Sequence, residues 1–230
     1  MVKSHIPIEN FLANLSMFEQ LDKGAIERLA AGTTEVDAPR ETLIFRRGDP
    51  CTGLYLLVFG QAKLSLETNR GDEKVVELIG PGMSFGEAAM FLGKPYLVTV
   101  ETLTDSKLLH VAKEVVLNEV RENPDFSQSV IEVISRHVYQ GIVDLESYTL
   151  RSGTERVVDF LLNHELHTKL NGALRLTLPA KKGIIASRLN LTHEHFSRIL
   201  HELMTRRLIE VDGRQVCISD IGRLRAYCVQ

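Results

Sequence analysis

Cysteine is scarce in this chain, and long apolar runs are absent. Only three cysteines occur, at positions 51, 217 and 228, an odd number that does not fit a disulfide scaffold and indicates a reducing, cytoplasmic setting. The longest apolar stretches, such as residues 54–59, are far shorter than the roughly 20 residues that span a membrane. We therefore expect no membrane segment. The first ten residues also lack the basic and apolar pattern of a secretion signal.

The charge is divided unevenly along a chain of ordinary globular composition. Hydrophobic residues make up 44% and charged residues 25%, and the formal net charge is −3. Residues 1–149 contain 14 basic and 22 acidic side chains, a net of −8, whereas residues 150–230 contain 13 and 8, a net of +5. Such asymmetry predicts an anionic partner that contacts only the C-terminal part.

Residues 1–112 are predicted to form an antiparallel β-roll preceded by short helices within the first 35 residues. Residues 62–67 alternate with period two, as a half-exposed strand does. Short apolar and β-branched runs separated by glycine, proline and asparagine turns indicate a jelly roll, whose interior is a natural small-molecule pocket. These runs cover residues 42–45, 54–59, 62–67, 75–79, 97–102 and 108–111.

Residues 113–151 are predicted to be helical, with one long helix that begins after Pro124. Along it, apolar residues and one glycine recur at steps of three and four, as in a coiled-coil seam that forms a homodimer. The seam comprises Ile131, Ile134, Val138, Gly141, Leu145 and Tyr148. The alternative is an amphipathic helix packed on its own domain. Gly141 permits close approach or a bend, and we expect a hinge at residues 151–154.

Residues 152–230 are predicted to form a winged helix-turn-helix. A helix over residues 181–189 is followed by Asn190, which tolerates positive φ. Thr192 can cap a second helix, whose buried stripe is Phe196, Ile199, Leu200 and Leu203. Two strands, 209–211 and 215–218, joined by Asp212-Gly213 indicate a hairpin wing.

The outward side of the second helix has the chemistry of a DNA reader. Arg198 can donate two hydrogen bonds to guanine, Glu194 can accept from cytosine, and Ser197 can contact bases or thymine methyls. His193 shares this face, and the candidate phosphate contacts are Thr192, Lys181, Lys182, Arg206 and Arg207. The alternative is that Arg198 and Glu194 form only a surface ion pair.

The chain resembles the Crp–Fnr superfamily of bacterial transcription regulators. The resemblance extends over about residues 11–221 and is most specific at Arg47-Gly48-Asp49-Pro50, Phe85-Gly86-Glu87 and Glu194-x-x-Ser197-Arg198. It implies an α+β fold with a cyclic-nucleotide-binding-like jelly roll, a long dimerisation helix and a winged helix-turn-helix. It also implies palindromic double-stranded DNA with TTGAT-like half-sites, and RNA polymerase as a partner.

The resemblance places an effector pocket in the roll, at Phe85, Gly86, Glu87, Ala88, Tyr96 and Leu97. Glu87 matches the carboxylate that binds ribose in the cyclic-nucleotide binders of the family. Tyr96 and Leu97 stand where those proteins have an arginine and a hydroxyl residue for the phosphate, so cyclic AMP is not expected. The iron–sulfur mode of the family is also not expected, since a cluster needs four thiolates or equivalent ligands and no cysteine precedes Cys51.

Residues 87–91 and 94–96 are most similar to the dissimilatory nitrate respiration branch, the DNR and NNR regulators. That similarity implies nitric oxide sensing through haem, and the candidate axial ligands are His5, His110, His137, Met17 and Met83. A small apolar ligand, or a redox signal through Cys51, remains an alternative.

Nothing in the sequence favours an enzyme. The Gly-x-Ser-x-Gly motif and the P-loop are both absent. Residues 80–86 superficially resemble a dinucleotide-binding loop but lack its glycine spacing, and we expect no helix to begin after them.

Overall fold

A computed structural model describes residues 7–67, 73–163, 167–170 and 173–228. The chain divides into two compact units, with the main boundary between Gly141 and Ile142 and with Glu73–Val75 assigned to the second unit. The helices are α1 (Ile8–Ala13), α2 (Lys23–Ala31), α3 (Glu87–Leu92), α4 (Lys113–Glu122), α5 (Pro124–Leu150), α6 (Gly153–Asn163), α7 (Lys182–Arg188), α8 (His193–Thr205) and α9 (Ile221–Tyr227). The strands are β1 (Thr33–Ala38), β2 (Leu43–Phe45), β3 (Gly53–Phe59), β4 (Ala62–Glu67), β5 (Glu73–Ile79), β6 (Ser84–Phe85), β7 (Thr99–Thr102), β8 (Ser106–Ala112), β9 (His167–Leu170), β10 (Ala173–Thr177), β11 (Glu210–Asp212) and β12 (Gln215–Ile218).

The first unit contains the predicted antiparallel β-roll. Its two four-stranded sheets have the orders β1-β8-β3-β6 and β2-β7-β4-β5. Apolar side chains of both sheets form one core cluster, in which Leu57 and Leu108 of the first sheet meet Leu64 and Val100 of the second. The roll interior is therefore a packed core.

Three details of the roll differ from the predictions. Strand β1 begins at Thr33, so residues 33–35 are extended although short helices were expected within the first 35 residues. Its register with β8 runs from Thr33 opposite Val111 to Ala38 opposite Ser106, so a partner distant in sequence decides its structure. The expectation of no helix after residue 86 is wrong, since α3 begins at Glu87 behind Gly86 at φ 99°. Strand β4 is not half-exposed, because Lys63 and Ser65 are buried.

Helices α1, α2, α4 and the first part of α5 pack together against one side of the roll. The Phe18 and Phe126 rings stack with centroids 5.6 Å apart, inside a second apolar cluster. Glu119 of α4 is buried, and its carboxylate accepts two hydrogen bonds from Arg28 of α2, at 3.0 and 2.9 Å. A buried charge needs such a partner.

The second unit is the predicted winged module. A four-stranded sheet in the order β9-β10-β12-β11 accompanies α6, α7, α8 and α9. The wing is the β11–β12 hairpin, with Gly213 at φ 56° in its turn. The predicted fold class, α+β with a β-roll, a long helix and a winged helix-turn-helix, is thus confirmed. Within the described ranges, no helix combines the length and apolar character that crossing a membrane requires.

Candidate functional site

Helix α8 begins where the sequence predicts. The Thr192 hydroxyl caps it by accepting a hydrogen bond from the backbone N–H of His195, at 3.1 Å. Its apolar stripe is buried as expected, at Phe196, Ile199, Leu200 and Leu203. Because local periodicity fixes the buried side of the helix, it also fixes the side that faces water.

The turn before α8 has the predicted backbone geometry. Asn190 has φ 57°, and the N–H of Leu191 donates to the carbonyl of Ala186 at 2.9 Å. Ala186 is 1% exposed. Gly153, the first residue of α6, is closely packed here, since a Cβ there would lie 3.0 Å from the Leu191 side chain.

The candidate reading residues are presented together on the outer side of α8. His193, Glu194 and Arg198 are exposed, and Ser197 is half-buried. Hydrogen bonds from the Glu194 backbone N–H and the Thr192 hydroxyl lower the pKa of the Glu194 carboxyl. Glu194 therefore stays ionised at neutral pH and can act as a hydrogen-bond acceptor.

The candidate phosphate contacts lie in two places. Lys181 precedes α7 and is exposed, while Lys182 is its half-buried first residue. Arg206 and Arg207 follow the end of α8. Arg206 pairs with Glu202 at 3.3 Å, so part of its donor capacity is used within the module.

Arg214, which the sequence analysis missed, fixes the wing. Its guanidinium donates to the carbonyl oxygens of Leu178 and Pro179, with the shortest contact to each at 2.6 Å. These contacts tie the hairpin turn to the segment between β10 and α7. No sequence pattern signals them, because the acceptors are backbone atoms 35 or 36 residues away.

Side chains in the last turns of α5 form hydrogen bonds with the helix-turn-helix, a second feature that was not predicted from the sequence. The Tyr148 hydroxyl donates to the carbonyl of Arg188 at 2.6 Å, and the Arg188 guanidinium pairs with Asp144 at 2.7 Å. Arg156 of α6 donates to the carbonyls of Leu189 and Asn190, at 2.7 and 3.1 Å. The C-terminal part of α5 and the turn of the helix-turn-helix thus belong to one unit.

The predicted hinge at residues 151–154 is an ordered helix start. The Ser152 N–H donates to the Glu155 carboxylate at 2.6 Å, and the Glu155 N–H donates to the Ser152 hydroxyl at 3.2 Å. This reciprocal arrangement is a capping box. Arg151 also pairs with Glu146 and Asp159.

In the roll, the candidate effector residues separate into buried and exposed groups. Phe85, Glu87 and Tyr96 are buried, with Gly86 beside them at φ 99°. Ala88 is exposed, and Leu97 is 68% exposed, so these two side chains lie on the surface of this unit.

Glu87 is a buried carboxyl with one unsatisfied oxygen. It is 3% exposed, and among the described residues no group hydrogen-bonds its Oε1. Burial raises the pKa of this carboxyl, and a hydrogen bond with Ser84 opposes the shift. Such a group can receive a hydrogen bond from a bound molecule.

An aromatic cluster fills the roll next to the Gly86 turn. Tyr96 stacks on Phe45 with centroids 3.7 Å apart, Tyr55 stacks on Phe85 at 5.5 Å, and His110 contacts Tyr55 at 4.7 Å. The Tyr96 hydroxyl donates to the Gly53 carbonyl at 2.9 Å. Phe45 and Tyr55 were not predicted as site residues, and His110 was predicted only as a candidate haem ligand. Strands far apart in sequence bring the three side chains together.

The Arg47-Gly48-Asp49-Pro50 turn positions Tyr96. Gly48 N–H donates to the Tyr96 carbonyl at 2.8 Å, and Tyr96 N–H donates to the Asp49 carbonyl at 3.0 Å. Gly48 adopts φ 94°, which glycine tolerates best. Two motifs that are separate in sequence therefore form one structural feature.

The predicted seam residues of α5 differ in their surroundings. Ile131, Val138 and Leu145 are about 60% exposed. Ile134 packs against the core of the first unit, and Tyr148 bonds to Arg188 as described above. Gly141 is exposed, and a Cβ added there would meet nothing within 4 Å. Other exposed apolar side chains of α5 are Tyr139, Ile142 and Leu150.

Two family models match separate parts of the chain. The cyclic nucleotide-binding domain matches residues 35–123, and the Crp-like helix-turn-helix domain matches residues 155–227. The chain belongs to the Crp–Fnr family of transcription regulators. It is therefore an effector-responsive DNA-binding regulator rather than an enzyme.

Similar proteins from several bacteria share this architecture. The chain is 26% identical to the CRP-like cAMP-activated global transcriptional regulator of Mycobacterium tuberculosis, over 94% of this chain and 98% of the relative. The structure of FixK2 from Bradyrhizobium japonicum matches with a TM-score of 0.75 at 20% identity, covering 84% of this chain and 96% of FixK2. DNR from Pseudomonas aeruginosa matches with a TM-score of 0.52 at 29% identity, covering 95% and 96%.

Proposed function

We propose that this Crp–Fnr regulator is a homodimer that binds palindromic DNA with TTGAT-like half-sites. The observation that carries the proposal is the exposed set of Glu194, Ser197 and Arg198 on a capped helix whose opposite side is buried. A symmetric dimer places two such helices about one DNA turn apart. RNA polymerase is its partner at promoters, as the family resemblance implies.

Binding to a duplex carrying the palindrome, measured by fluorescence anisotropy, tests this proposal. Arg198→Ala should weaken binding by roughly 5- to 150-fold, because a bidentate arginine–guanine contact contributes about 1–3 kcal/mol of discrimination. Lys181→Ala should instead weaken binding to all sequences and reduce its salt dependence. The control is Arg136→Ala, an exposed arginine of α5 in the first unit. Equal losses for Arg198→Ala and Arg136→Ala would sink the base-reading assignment.

The dimer face we propose is the exposed apolar stripe of α5 formed by Ile131, Val138, Ile142 and Leu145. It keeps three residues of the sequence-based seam and adds Ile142, the neighbour of Gly141. Leu145→Glu should convert a dimer to a monomer in analytical ultracentrifugation, since an unpaired charge would be buried in the seam. A dimer that persists would refute this face.

We propose that effector binding in the roll is transmitted along α5 by a bend of this helix near Gly141. Asp144 and Tyr148 hold the end of α5 to the helix-turn-helix, and the boundary between the two units falls just before Ile142. Glycine weakens a helix interior, which allows a bend there. Effector binding would favour one of two dimer states by a few kcal/mol.

For the effector, the described residues do not fit a haem. Met17 is 4% exposed within the core, the Met83 sulfur accepts a hydrogen bond from Gly80 N–H at 3.3 Å, and His110 Nε2 bonds to Thr52 at 3.0 Å. His137 is exposed on α5, and His5 lies outside the described residues. The stacked aromatic rings also fill the roll beside Glu87.

In our proposal the effector is not cyclic AMP either. Tyr96, which is buried and stacked on Phe45, stands where a cation would be needed to bind the phosphate. We favour a small uncharged ligand that donates a hydrogen bond to Glu87, a preference that the unsatisfied Oε1 supports. Reconstitution with haem tests the competing idea, which was based on similarity to the DNR branch. A Soret band that shifts with nitric oxide would restore haem sensing, and its absence would support the small ligand.

A further inference from the structure

A groove lies beside the C-terminal end of α8 in the winged unit. Its volume is about 440 Å³, and its lining combines two guanidinium groups with apolar and aromatic surface. The lining residues are Arg206, Leu208, Arg223, Ala226 and Tyr227. None of them belongs to the outward face that contains Glu194 and Arg198, and Arg206 is the one lining residue that is also a candidate phosphate contact.

Arg206 is held in place at the groove. Its guanidinium lies over the Tyr227 ring, 4.9 Å from the centroid, and contacts Glu202 at 3.3 Å. The Tyr227 hydroxyl donates to the same Glu202 oxygen at 2.6 Å, and this hydrogen bond lowers the pKa of Glu202. A guanidinium has five N–H donors, so Arg206 retains donors for a further acceptor.

Arg223 makes the groove a net cationic surface. It lies near the start of α9 and is exposed, and within the described part of the chain its side chain has no hydrogen-bonding or ionic partner. The two arginines therefore outweigh the single carboxylate of Glu202. Leu208, which is 8% exposed, and Ala226 supply apolar surface next to these charges.

We propose that this groove docks an acidic segment of a partner protein. Carboxylates of the segment would pair with Arg206 and Arg223, for which the planar guanidinium is well suited. An apolar side chain between those carboxylates would pack against Leu208 and Ala226.

A protein segment fits this groove better than the DNA backbone does. Arg206 follows Arg198 by eight residues, about 12 Å along the helix axis. A recognition helix meets base edges with its N-terminal residues, so its C-terminal end points away from them. Phosphates also gain nothing from the apolar part of the lining. The groove can therefore be occupied while α8 reads DNA.

Fluorescence anisotropy with the full-length protein and no DNA tests the proposal. The probe is a labelled Glu-Leu-Asp-Glu-Leu-Asp peptide, compared with the matched Gln-Leu-Asn-Gln-Leu-Asn peptide. We expect the acidic peptide to bind at least about fivefold more tightly than the amide peptide, and Arg223→Gln to remove about that difference. Arg223→Glu should reduce binding further.

Arg225→Gln is the matched control, since Arg225 is exposed on the same helix but does not line the groove. It should retain binding, and circular dichroism should show all variants folded. No binding by the acidic peptide, or equal losses for the Arg223 and Arg225 variants, would overturn the proposal. The proposal would also be overturned if Arg223→Gln left peptide binding unchanged but weakened operator binding. That result would assign the groove to DNA. Because the peptide assay contains no DNA, it does not depend on the proposed operator.

Discussion

In the winged unit the side chains proposed to read DNA are exposed, whereas in the β-roll the residues next to the proposed effector are part of the core. Arg198 and Glu194 project into solvent from a helix that packs without them. Glu87 and Tyr96 are 3% and 4% exposed, and Tyr96 stacks on Phe45. Substitutions in the winged unit can therefore change function without loss of stability. In the β-roll, function and stability are coupled.

The strongest challenge to this comparison is Tyr96→Ala. We expect it to destabilise the roll by about 3–5 kcal/mol, the cost of truncating a large aromatic side chain in a core. Urea unfolding followed by circular dichroism measures this. Leu97→Ala, next in the chain and 68% exposed, is the control and should change stability by less than about 0.5 kcal/mol. Similar costs for both would contradict the burial of the pocket residues.

Glu87→Gln tests whether the buried carboxyl opposes folding when it is charged. Burial raises the pKa of Glu87 in the folded protein, so the unfolded state loses this proton at lower pH. The contribution of Glu87 to stability should therefore fall as the pH rises above its unfolded pKa, about 4.3, and through its higher folded pKa. The variant lacks this titration. The free energy of unfolding of the parent protein and of Glu87→Gln should be measured as a function of pH from below about 4.3 upwards. Parallel curves for the two proteins would disprove the raised pKa of Glu87.

A smaller effect on stability is expected for the N-cap of α8. Thr192→Ala should cost about 1 kcal/mol, because the His195 N–H loses its acceptor. Thr192→Ser keeps the hydroxyl and should stay close to the parent protein in thermal unfolding. If alanine and serine behave alike, the hydroxyl is not what stabilises α8.

Gly141→Ala tests the segment of α5 that joins the two units. Since a Cβ there would meet nothing within 4 Å, the substitution should stabilise the helix by about 0.5–1 kcal/mol. If α5 bends at this position, the variant should also show a smaller effect of ligand on operator binding. An unchanged ligand response would remove Gly141 from the mechanism while leaving the helix stabilisation intact.

Arg198→Ala should have the smallest effect on stability. An exposed side chain away from caps and core usually changes stability by less than about 0.5 kcal/mol. Calorimetry should therefore show nearly the parent melting temperature in a variant that has lost operator binding. A large drop in that temperature would mean that Arg198 supports the fold, contrary to the proposed separation.

The winged unit could be predicted from sequence in some detail, and the roll only in outline. Asn190 at positive φ and the Thr192 cap were both predicted, and each depends on contacts within about four residues. Strand β1 and helix α3 were missed. Strand β1 depends on pairing with β8, and α3 depends on the left-handed glycines at its two ends, Gly86 and Gly93. The prediction was weakest where distant segments decide the structure.

The sequence by itself determined the order of β-roll, long helix and winged helix-turn-helix, the exposed side of α8 and the separation of acidic and basic halves, since these follow from periodicity, caps and counted charge. Only the tertiary structure placed Phe45 against Tyr96, left Glu87 Oε1 unsatisfied and joined Tyr148 to the carbonyl of Arg188. Each of these depends on residues 40 or more positions apart or on the packing around a buried atom. No local pattern encodes such a contact, because its free energy exists only after the intervening chain has folded.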